Sequence, residues 1–366
     1  MDGLRAGLDE KAQGAVFTKA AVVEFMLDLA GYIEDAPLQS LRLLEPSCGS
    51  GSFLLPAARR LLRAWKRSGE DDTVLDDAVR AVELDARTFR DTQRALTDLL
   101  VAEGLSELSV ARIVRKWLVN ADFLTTSIAA GFDVVVGNPP YIRQELVPPG
   151  RLALYRRSFP TMVGRADVYV AFFERSLDLL KPGGKLCFIC ADAWTRNEYG
   201  RELRRLVTDR YALRVYVDMY GLDAFEADLG AYPSVTLIER GPAGSVRTAK
   251  ASSTDPEELA ALAASLTSGA TEVRTLPALA SGGAPWLLRG GTQREAVRLL
   301  EQRCPMLEDA GCRVGIGVAT GADRVFLGPY EDLPVEDDRK LPLAVNKDVC
   351  AGRFSWHGMG VVNPWT

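Results

Sequence analysis

Short apolar runs alternate with longer amphipathic segments between about residue 17 and residue 240. Apolar runs of four to eight residues, bounded by turn residues, predict buried strands. They span Leu41 to Glu45, Val79 to Leu84, Trp117 to Asn120, Phe132 to Val136, Lys185 to Cys190 and Leu213 to Asp218. Short apolar strands separated by helices indicate an α/β fold whose mostly parallel sheet is covered on both faces.

The segments between these strands carry apolar residues at the three- and four-residue spacing of an amphipathic helix. They predict helices over Lys19 to Gly31, Phe53 to Lys66, Ala86 to Ala102, Asp167 to Leu180 and Asn197 to Asp209. Thr18 is a candidate N-cap for the first helix, and Phe17 is placed to pack against Val22.

The alternation ends with an apolar run from Tyr232 to Arg240, which follows an irregular segment instead of a helix. This order predicts an antiparallel strand that joins the sheet at its edge. From Gly241 onward Ala, Gly, Ser and Pro dominate, with one helical pattern at Pro256 to Leu266. We therefore predict a principal domain over residues 1–240, a connector over residues 241–290 and a further domain over residues 291–366.

Composition narrows the class of protein. Hydrophobic residues make up 47% of the chain and charged residues 25%, which is typical of a globular protein and excludes collagen and disorder as the whole answer. The single histidine, His357, argues against a Ser-His-Asp hydrolase and a histidine-rich metal site, so we predict no metal. The apolar runs are far shorter than the ~20 residues that span a bilayer, so we expect a cytoplasmic protein without membrane contact.

A glycine-containing loop follows the first predicted strand, with the sequence Glu45-Pro-Ser-Cys-Gly-Ser-Gly-Ser-Phe53. Gly49 and Gly51 allow the backbone to approach a ligand at the carboxyl end of a strand, where open α/β sheets bind cofactors. The loop lacks the third glycine of a dinucleotide site and the Lys-Ser/Thr of a phosphate loop. Taken alone, it is as compatible with a structural turn as with a cofactor site.

Acidic side chains end the next two strands. Glu83 is placed to accept hydrogen bonds from both hydroxyls of a ribose, and Asp122 with Phe123 offers a carboxylate and a ring to an adenine. Each residue alone would more often be surface. Together they trace one adenosine-containing cofactor along the crevice of a single sheet.

The most specific motif is Asn138-Pro139-Pro140-Tyr141, which ends the strand beginning at Phe132. Proline removes backbone donors and fixes φ, so this turn presents carbonyl acceptors. The amide oxygen of Asn138 and the carbonyl of Pro139 can both accept from an exocyclic NH2 group, while the Tyr141 ring can stack on a flat base. No cysteine lies at residues 137–145 to act as the nucleophile of cytosine-C5 methylation.

With these motifs, residues 12–240 resemble the class I S-adenosylmethionine-dependent methyltransferases, and among them the gamma-order adenine-N6 DNA methyltransferases of restriction-modification and phage-defence systems. The resemblance implies a Rossmann-like, seven-stranded, mostly parallel sheet with helices on both faces. It also implies S-adenosyl-L-methionine as cofactor, double-stranded DNA as substrate and the N6 amine of a flipped adenine as the methyl acceptor.

The resemblance also assigns residues. The implied cofactor-binding set is Phe17, Thr18, Glu45, Pro46, Cys48, Gly49, Gly51, Phe53, Glu83, Asp122, Phe123 and Asn138. The implied catalytic set is Asn138, Pro139, Pro140, Tyr141 and Phe225, with Tyr232 as the alternative to Phe225 for the aromatic ring on the other face of the base.

DNA contacts are predicted after the Asn-Pro-Pro-Tyr motif, although the formal net charge of −5 gives no general indication of nucleic-acid binding. The segment from Ile142 to Ala166 contains one acid, Glu145, and five arginines: Arg143, Arg151, Arg156, Arg157 and Arg165. These arginines are candidates for phosphate binding, and solvated loop side chains are the alternative.

The segment from Val314 to Phe326 is similar to the beginning of a target-recognition region in these enzymes. Such regions are longer than the chain that remains after it. We therefore expect either that the recognition domain is truncated here or that recognition is shared with a specificity or restriction subunit.

Two other functions remain open. The same site could methylate a protein glutamine amide or an RNA amine, because Asn-Pro-Pro-Tyr suits any planar NH2 group. The residues after position 290 favour DNA. A non-catalytic cofactor- or DNA-binding subunit of a defence complex is the second alternative, and the intact Asn138 and Tyr141 count against it.

Overall fold

The structure is a computed structural model, and it describes residues 18–225, 233–269, 273–288, 296, 299–300, 303–313, 315, 321–350 and 352–364. The chain forms two compact units, Met1–Gly291 and Thr292–Thr366. Among the described residues, no helix combines the length and the apolar character needed to cross a membrane.

The first unit is built on a nine-stranded sheet with the order β3-β2-β1-β4-β5-β7-β6-β8-β9. Strands β1 to β5 pair in parallel, and β7 runs antiparallel to both β5 and β6. The strands are β1 Leu43–Glu45, β2 Val79–Glu83, β3 Leu118–Asn120, β4 Phe132–Gly137, β5 Leu180–Ala191, β6 Ala212–Asp218, β7 Pro233–Glu239, β8 Val246–Lys250 and β9 Arg274–Leu276. The predicted Rossmann-like α/β fold is confirmed, with β8 and β9 added to the seven predicted strands.

Helices pack against the sheet through two separate hydrophobic clusters. Along β4, Val134 and Val136 belong to one cluster and Val135 to the other, as expected when alternate side chains point to opposite faces. Phe132 joins the cluster of Val135, because the strand register shifts between Phe132 and Val134. The helices are α1 Ala20–Ala30, α2 Leu54–Ser68, α3 Ala86–Ala102, α4 Glu107–Trp117, α5 Pro149–Ser158, α6 Tyr169–Asp178, α7 Arg201–Arg210 and α8 Pro256–Ser268.

The strand order reverses between β1 and β4. From β1 the sheet continues through β2 to β3 on one side, and through β4 to β5 on the other. The loops that leave the carboxyl ends of β1 and β4 therefore diverge and open a crevice, which is where open α/β sheets bind ligands. The glycine loop and the Asn-Pro-Pro-Tyr turn are these two loops.

Three local predictions were wrong. Strand β7 is antiparallel as predicted but lies inside the sheet, because it inserts between β5 and β6. Helix α1 begins after Lys19, and the Thr18 side chain bonds elsewhere instead of capping it. The arginine-rich loop contains a helix, α5, which begins with Pro149 in its first turn. The predicted packing of Phe17 lies outside the described residues.

The predicted connector also differs from the structure. Strands β8 and β9 extend the main sheet, and Leu259, Ala263 and Leu266 of α8 are buried in the hydrophobic cluster that contains α1. Farther along, the Trp286 amide donates to the Thr195 carbonyl at 2.8 Å, and its ring packs edge-on against Trp194. The sequence did not predict this packing, because apolar residues are sparse in this Ala- and Gly-rich segment. Each of them packs onto a core that other segments already form.

Arg204 of α7 forms hydrogen bonds to the end of the segment that was predicted as a connector. Its side chain is buried and donates to four backbone carbonyls, those of Gly283, Ala284, Trp194 and Asn197, at 2.6–3.0 Å. A guanidinium can satisfy several acceptors at once because its donors are fixed in one plane.

The second unit contains a three-stranded antiparallel sheet with the order β10-β14-β11, and a two-stranded hairpin of β12 and β13. The buried carboxylate of Asp348 organises the chain near the hairpin. It accepts from the Val345 amide at 2.8 Å and lies 2.6 Å from Nδ1 of His357. These strands are β10 Leu327–Pro329, β11 Lys340–Pro342, β12 Val349–Cys350, β13 Arg353–Phe354 and β14 Met359–Val362.

Replacing Arg204 with methionine should lower the free energy of unfolding by about 2–4 kcal/mol, because the buried carbonyls lose their donor. Urea unfolding measures this change. Arg205→Met is the matched control, since the Arg205 side chain is 61% exposed and should tolerate the replacement. Equal stability of the two variants would contradict a structural role for the Arg204 hydrogen bonds.

Candidate active site

The glycine loop forms a tight turn between β1 and α2. Gly49 and Gly51 have φ values of 50° and 88°, in the left-handed region that favours glycine. The Gly51 amide donates to the Cys48 carbonyl at 2.7 Å, and Thr92 of α3 bonds the Gly49 carbonyl at 2.5 Å. A Cβ atom at Gly51 would lie 3.1 Å from Leu55, whereas one at Gly49 would meet nothing within 4 Å. Gly49 thus faces open space that a ligand can occupy.

The carboxylate of Glu83, at the end of β2, faces this loop. It accepts from the Gly49 amide at 2.9 Å and from the Asp85 amide at 2.7 Å. Partial burial raises the pKa of Glu83, and these amide donors oppose that rise. Two of its roughly four acceptor positions are used by these amides, so it retains capacity for further donors.

Glu45, at the end of β1, is fully buried beneath the loop. Its Oε2 atom has no hydrogen-bond partner among the described residues. Desolvation, with repulsion from Glu83 as the second cause, raises the pKa of Glu45 well above its ordinary value, while the amides of Phe53 and Leu54 act in the opposite direction. A buried acceptor without a donor costs folding energy, so it is a typical feature of a site that awaits a ligand.

Asp122 follows β3 and is largely enclosed. Its Oδ1 accepts from the Leu124 amide at 3.0 Å, and its Oδ2 accepts from the Tyr155 hydroxyl at 2.7 Å. The neighbouring Phe123 ring is buried, with its centroid 5.1 Å from that of Phe172 and the Arg175 guanidinium 5.1 Å away. The predicted carboxylate and ring are therefore adjacent at the carboxyl edge of the sheet.

Asn138 occupies the end of β4 and is held from two sides. Its side-chain NH2 group donates to Oγ1 of Thr18 at 3.3 Å, and its backbone carbonyl accepts from the Ser47 hydroxyl at 3.2 Å. The N-terminal segment and the glycine loop thus both meet the Asn-Pro-Pro-Tyr turn. The Thr18 contact fixes the orientation of the side-chain amide through its NH2 group.

Two aromatic rings border the same turn. Tyr141 donates its hydroxyl to the Ile189 carbonyl at 3.4 Å, and its ring meets the Phe225 ring edge-on at a centroid distance of 6.2 Å. Burial raises the pKa of the Tyr141 phenol well above its ordinary value. Phe225 also pairs with Thr18 in an isolated antiparallel bridge. Tyr232 lies outside the described residues, so the choice between Phe225 and Tyr232 stays a prediction.

Three of the five candidate DNA-binding arginines lie in α5, and the other two flank it. Arg143, Arg156, Arg157 and Arg165 are exposed, whereas Arg151 is half-buried with its Nε atom 4.0 Å from the Asp122 carboxylate. Arg156 donates to the Gly164 carbonyl at 2.9 Å. Arg157 and Arg165 extend into solvent from this segment.

The loop and turn thus place most predicted residues around one crevice. Glu83 accepts from the Gly49 amide, and Ser47 of the same loop donates to the Asn138 carbonyl. Glu45 lies close enough to Glu83 for their charges to repel. Pro46, Cys48 and Phe53 are buried and support the loop with their packing. Pro139 is buried and Pro140 half-buried in the turn itself. Phe17 lies outside the described residues.

Sequence reasoning missed three supporting side chains: Ser47, Thr92 and Tyr155. Thr92 could have been found, because it shares the buried face of α3 with Leu96 and Leu100 at four-residue spacing. Ser47 and Tyr155 gave no such signal, since their partners lie 91 and 33 residues away in the chain.

Comparison with known proteins identifies the family. The model of the Eco57I restriction-modification methylase family matches residues 62–225. The chain is 50% identical over 363 residues to the Type II methyltransferase M.PaeR7I of Pseudomonas aeruginosa, covering 97% of this chain and 63% of that protein. It is 42% identical over 365 residues to the Type II methyltransferase M.XhoI of Xanthomonas vasicola, covering 96% of this chain and 67% of that protein.

The chain belongs to the Type II restriction-modification methyltransferases. It spans about two thirds of the length of these relatives, 63% and 67%. Its fold is also that of a Listeria monocytogenes protein assigned to the class I S-adenosylmethionine-dependent methyltransferases, with a TM-score of 0.50 and 18% identity over 72% of this chain and 74% of that one. The resemblance of the sequence to restriction-modification methyltransferases is thereby confirmed.

Replacing Glu45 with glutamine should stabilise the ligand-free protein at neutral pH by about 1–3 kcal/mol, because a neutral amide avoids the cost of burying a carboxylate charge or of protonating it on folding. The raised pKa of Glu45 determines the direction in which stability changes with pH. Wild-type stability falls as pH rises from the unfolded-state pKa, about 4.3, through the folded-state pKa, because folding then requires proton uptake.

The stabilisation should therefore be largest at about pH 8 and vanish near pH 4. Urea unfolding across this range measures it, with Glu70→Gln as the control at an exposed carboxylate. A Glu45→Gln protein that is less stable at neutral pH than the wild type would show that the carboxylate is structurally satisfied.

Proposed function

We propose that this protein transfers a methyl group from S-adenosyl-L-methionine to the N6 amine of adenine in double-stranded DNA, as the modification activity of a restriction-modification system. The observation that carries the proposal is the position of Asn138-Pro-Pro-Tyr141. The turn ends β4 at the switch point of the sheet and contacts both the glycine loop and the segment at Thr18. Membership of the Type II family supports DNA as the substrate.

The crevice fits S-adenosyl-L-methionine on two observations. The buried, unpartnered Oε2 atom of Glu45 suits a cationic donor such as the cofactor's ammonium group, and Gly49 leaves space for a ligand against the backbone. Glu83 would accept from the ribose hydroxyls, and Asp122 from the adenine amine. When bound, the cofactor supplies an electrophilic methyl group on a sulfonium.

The exocyclic amine of a purine is a poor nucleophile, because its lone pair is delocalised into the ring. The turn residues would make it more reactive. The amide oxygen of Asn138 and the carbonyl of Pro139 would accept one amine hydrogen each. Two acceptors favour a pyramidal nitrogen, direct its lone pair toward the methyl group and stabilise the positive charge that develops on nitrogen. Thr18 holds the Asn138 amide in the required orientation.

The aromatic rings would hold the target base outside the duplex. A base within a duplex cannot reach this crevice unless it rotates out of the stack, which costs a few kcal/mol. The Tyr141 ring offers a stacking face to such a base, and its hydroxyl fixes the ring through the Ile189 carbonyl. Phe225 contacts Tyr141 edge-on and would turn or shift to enclose a base between the two rings.

Replacing Asn138 with alanine should lower methyl transfer by about 100-fold or more, because one of the two acceptors is lost. The measurement is incorporation of tritiated methyl into duplex DNA that lacks the modification, followed by digestion and chromatography of the nucleosides. N6-methyldeoxyadenosine is the expected product. Binding of S-adenosylhomocysteine should change less than about threefold, since the cofactor cradle is intact.

Asn197→Ala, at an exposed asparagine, is the matched control and should remain active. Label in another nucleoside would refute the adenine assignment, and label in protein or RNA would support the alternative amine substrates. Unchanged transfer by Asn138→Ala would refute the mechanism.

Replacing Arg157 and Arg165 together with glutamine should weaken binding to duplex DNA and make it less sensitive to salt. Each lost phosphate contact reduces the slope of log K against log salt by about 0.9, so the double variant should lose about 1.8. Fluorescence anisotropy at several salt concentrations measures the slope. Arg205→Gln, on an exposed helix face beside Asp209, is the control. An unchanged slope in the double variant would mean that these arginines are only solvated.

A further inference from the structure

The buried side chain of α5 is that of Tyr155, which lies beside the crevice. Its ring is buried in the hydrophobic cluster that also contains Val147 and Phe159. Its hydroxyl donates to Oδ2 of Asp122 at 2.7 Å. The partner is the carboxylate that the proposed function assigns to the cofactor's adenine, so the contact joins an inserted helix to the cofactor site.

In the hydrogen bond between Tyr155 and Asp122, the phenol is always the donor. Desolvation, and then the hydrogen bond to Asp122 and its charge, raise the pKa of the Tyr155 phenol. The phenol is therefore a donor at every physiological pH, and Asp122 is the acceptor. Because the ring is anchored by packing, the hydroxyl cannot follow the carboxylate if Asp122 turns.

Asp122 has two neighbouring donors besides Tyr155. The Leu124 amide donates to Oδ1 at 3.0 Å, while the Nε atom of Arg151 lies 4.0 Å away on the same helix as Tyr155. Without the phenol, the carboxylate would be free to turn toward the guanidinium and form a closer ion pair. The Tyr155 bond prevents this rotation.

We propose that Tyr155 is a positioning residue that holds the Asp122 carboxylate toward the exocyclic amine of the cofactor's adenine, and thereby makes the site select a 6-amino over a 6-oxo purine. The inference rests on the proposed cofactor. An amine gives the oriented carboxylate a donor, whereas a carbonyl at the same position places two acceptors against each other. A site with fixed acceptors discriminates strongly against an analogue that cannot pair with them.

The test compares the binding of S-adenosyl-L-homocysteine and S-inosyl-L-homocysteine, which differ in the amine or carbonyl on the purine, by calorimetry. The wild type should prefer the adenosyl compound by about tenfold or more. Tyr155→Phe should bind the adenosyl compound about tenfold more weakly, with the preference reduced to about threefold or less. The ring, and with it the packing, is retained in this variant.

Tyr211→Phe is the matched control, because Tyr211 is another buried tyrosine whose hydroxyl bonds a carboxylate, Oδ1 of Asp178 at 3.0 Å. It should keep both affinities. In an Asp122→Asn background the further change Tyr155→Phe should leave the preference unaltered, since the carboxylate through which Tyr155 acts is gone.

An unchanged preference in Tyr155→Phe would overturn the inference, and so would equal weakening of both compounds, which indicates a purely structural role. The proposed cofactor would still stand in either case. If the wild type bound neither compound, the cofactor assignment itself would fall, and the inference with it.

Discussion

The structure depends on the meeting of three segments at the carboxyl ends of β1 and β4. Thr18 bonds the Asn138 side chain, Ser47 bonds its backbone carbonyl, and Phe225 bridges to Thr18. These contacts join residues far apart in the sequence, and the reversal of strand order between β1 and β4 brings Ser47 and Asn138 together. The orientation of the Asn138 amide, on which the proposed chemistry rests, follows from this constraint.

The buried carboxylates near the Asn-Pro-Pro-Tyr turn lower the stability of the folded protein. Burial raises the pKa values of both Glu45 and Glu83, and Glu45 leaves an acceptor unsatisfied among the described residues. Such groups reduce the stability of the ligand-free protein, while a bound donor would recover the loss. Asp122 differs, since Tyr155 and the Leu124 amide already satisfy it and fix its direction.

The alternation of apolar runs was enough to predict most of the sheet, because buried parallel strands are short and continuously apolar. The place of β7 between β5 and β6 could not be predicted, since it depends on pairing between distant segments. The packing of β8, α8 and Trp286 was also missed, because a few apolar residues suffice when they join an existing core. At the site, motifs located Asn138 and Glu83, whereas the Tyr155 contact with Asp122 required coordinates.

The most direct test of the central claim is a crystal structure of the protein with S-adenosylhomocysteine and duplex DNA. The account predicts an adenine rotated out of the duplex, with its exocyclic nitrogen about 2.7–3.2 Å from both the Asn138 side-chain oxygen and the Pro139 carbonyl, and its ring against Tyr141. A different base in the crevice, or an adenine whose amine contacts neither oxygen, would contradict it.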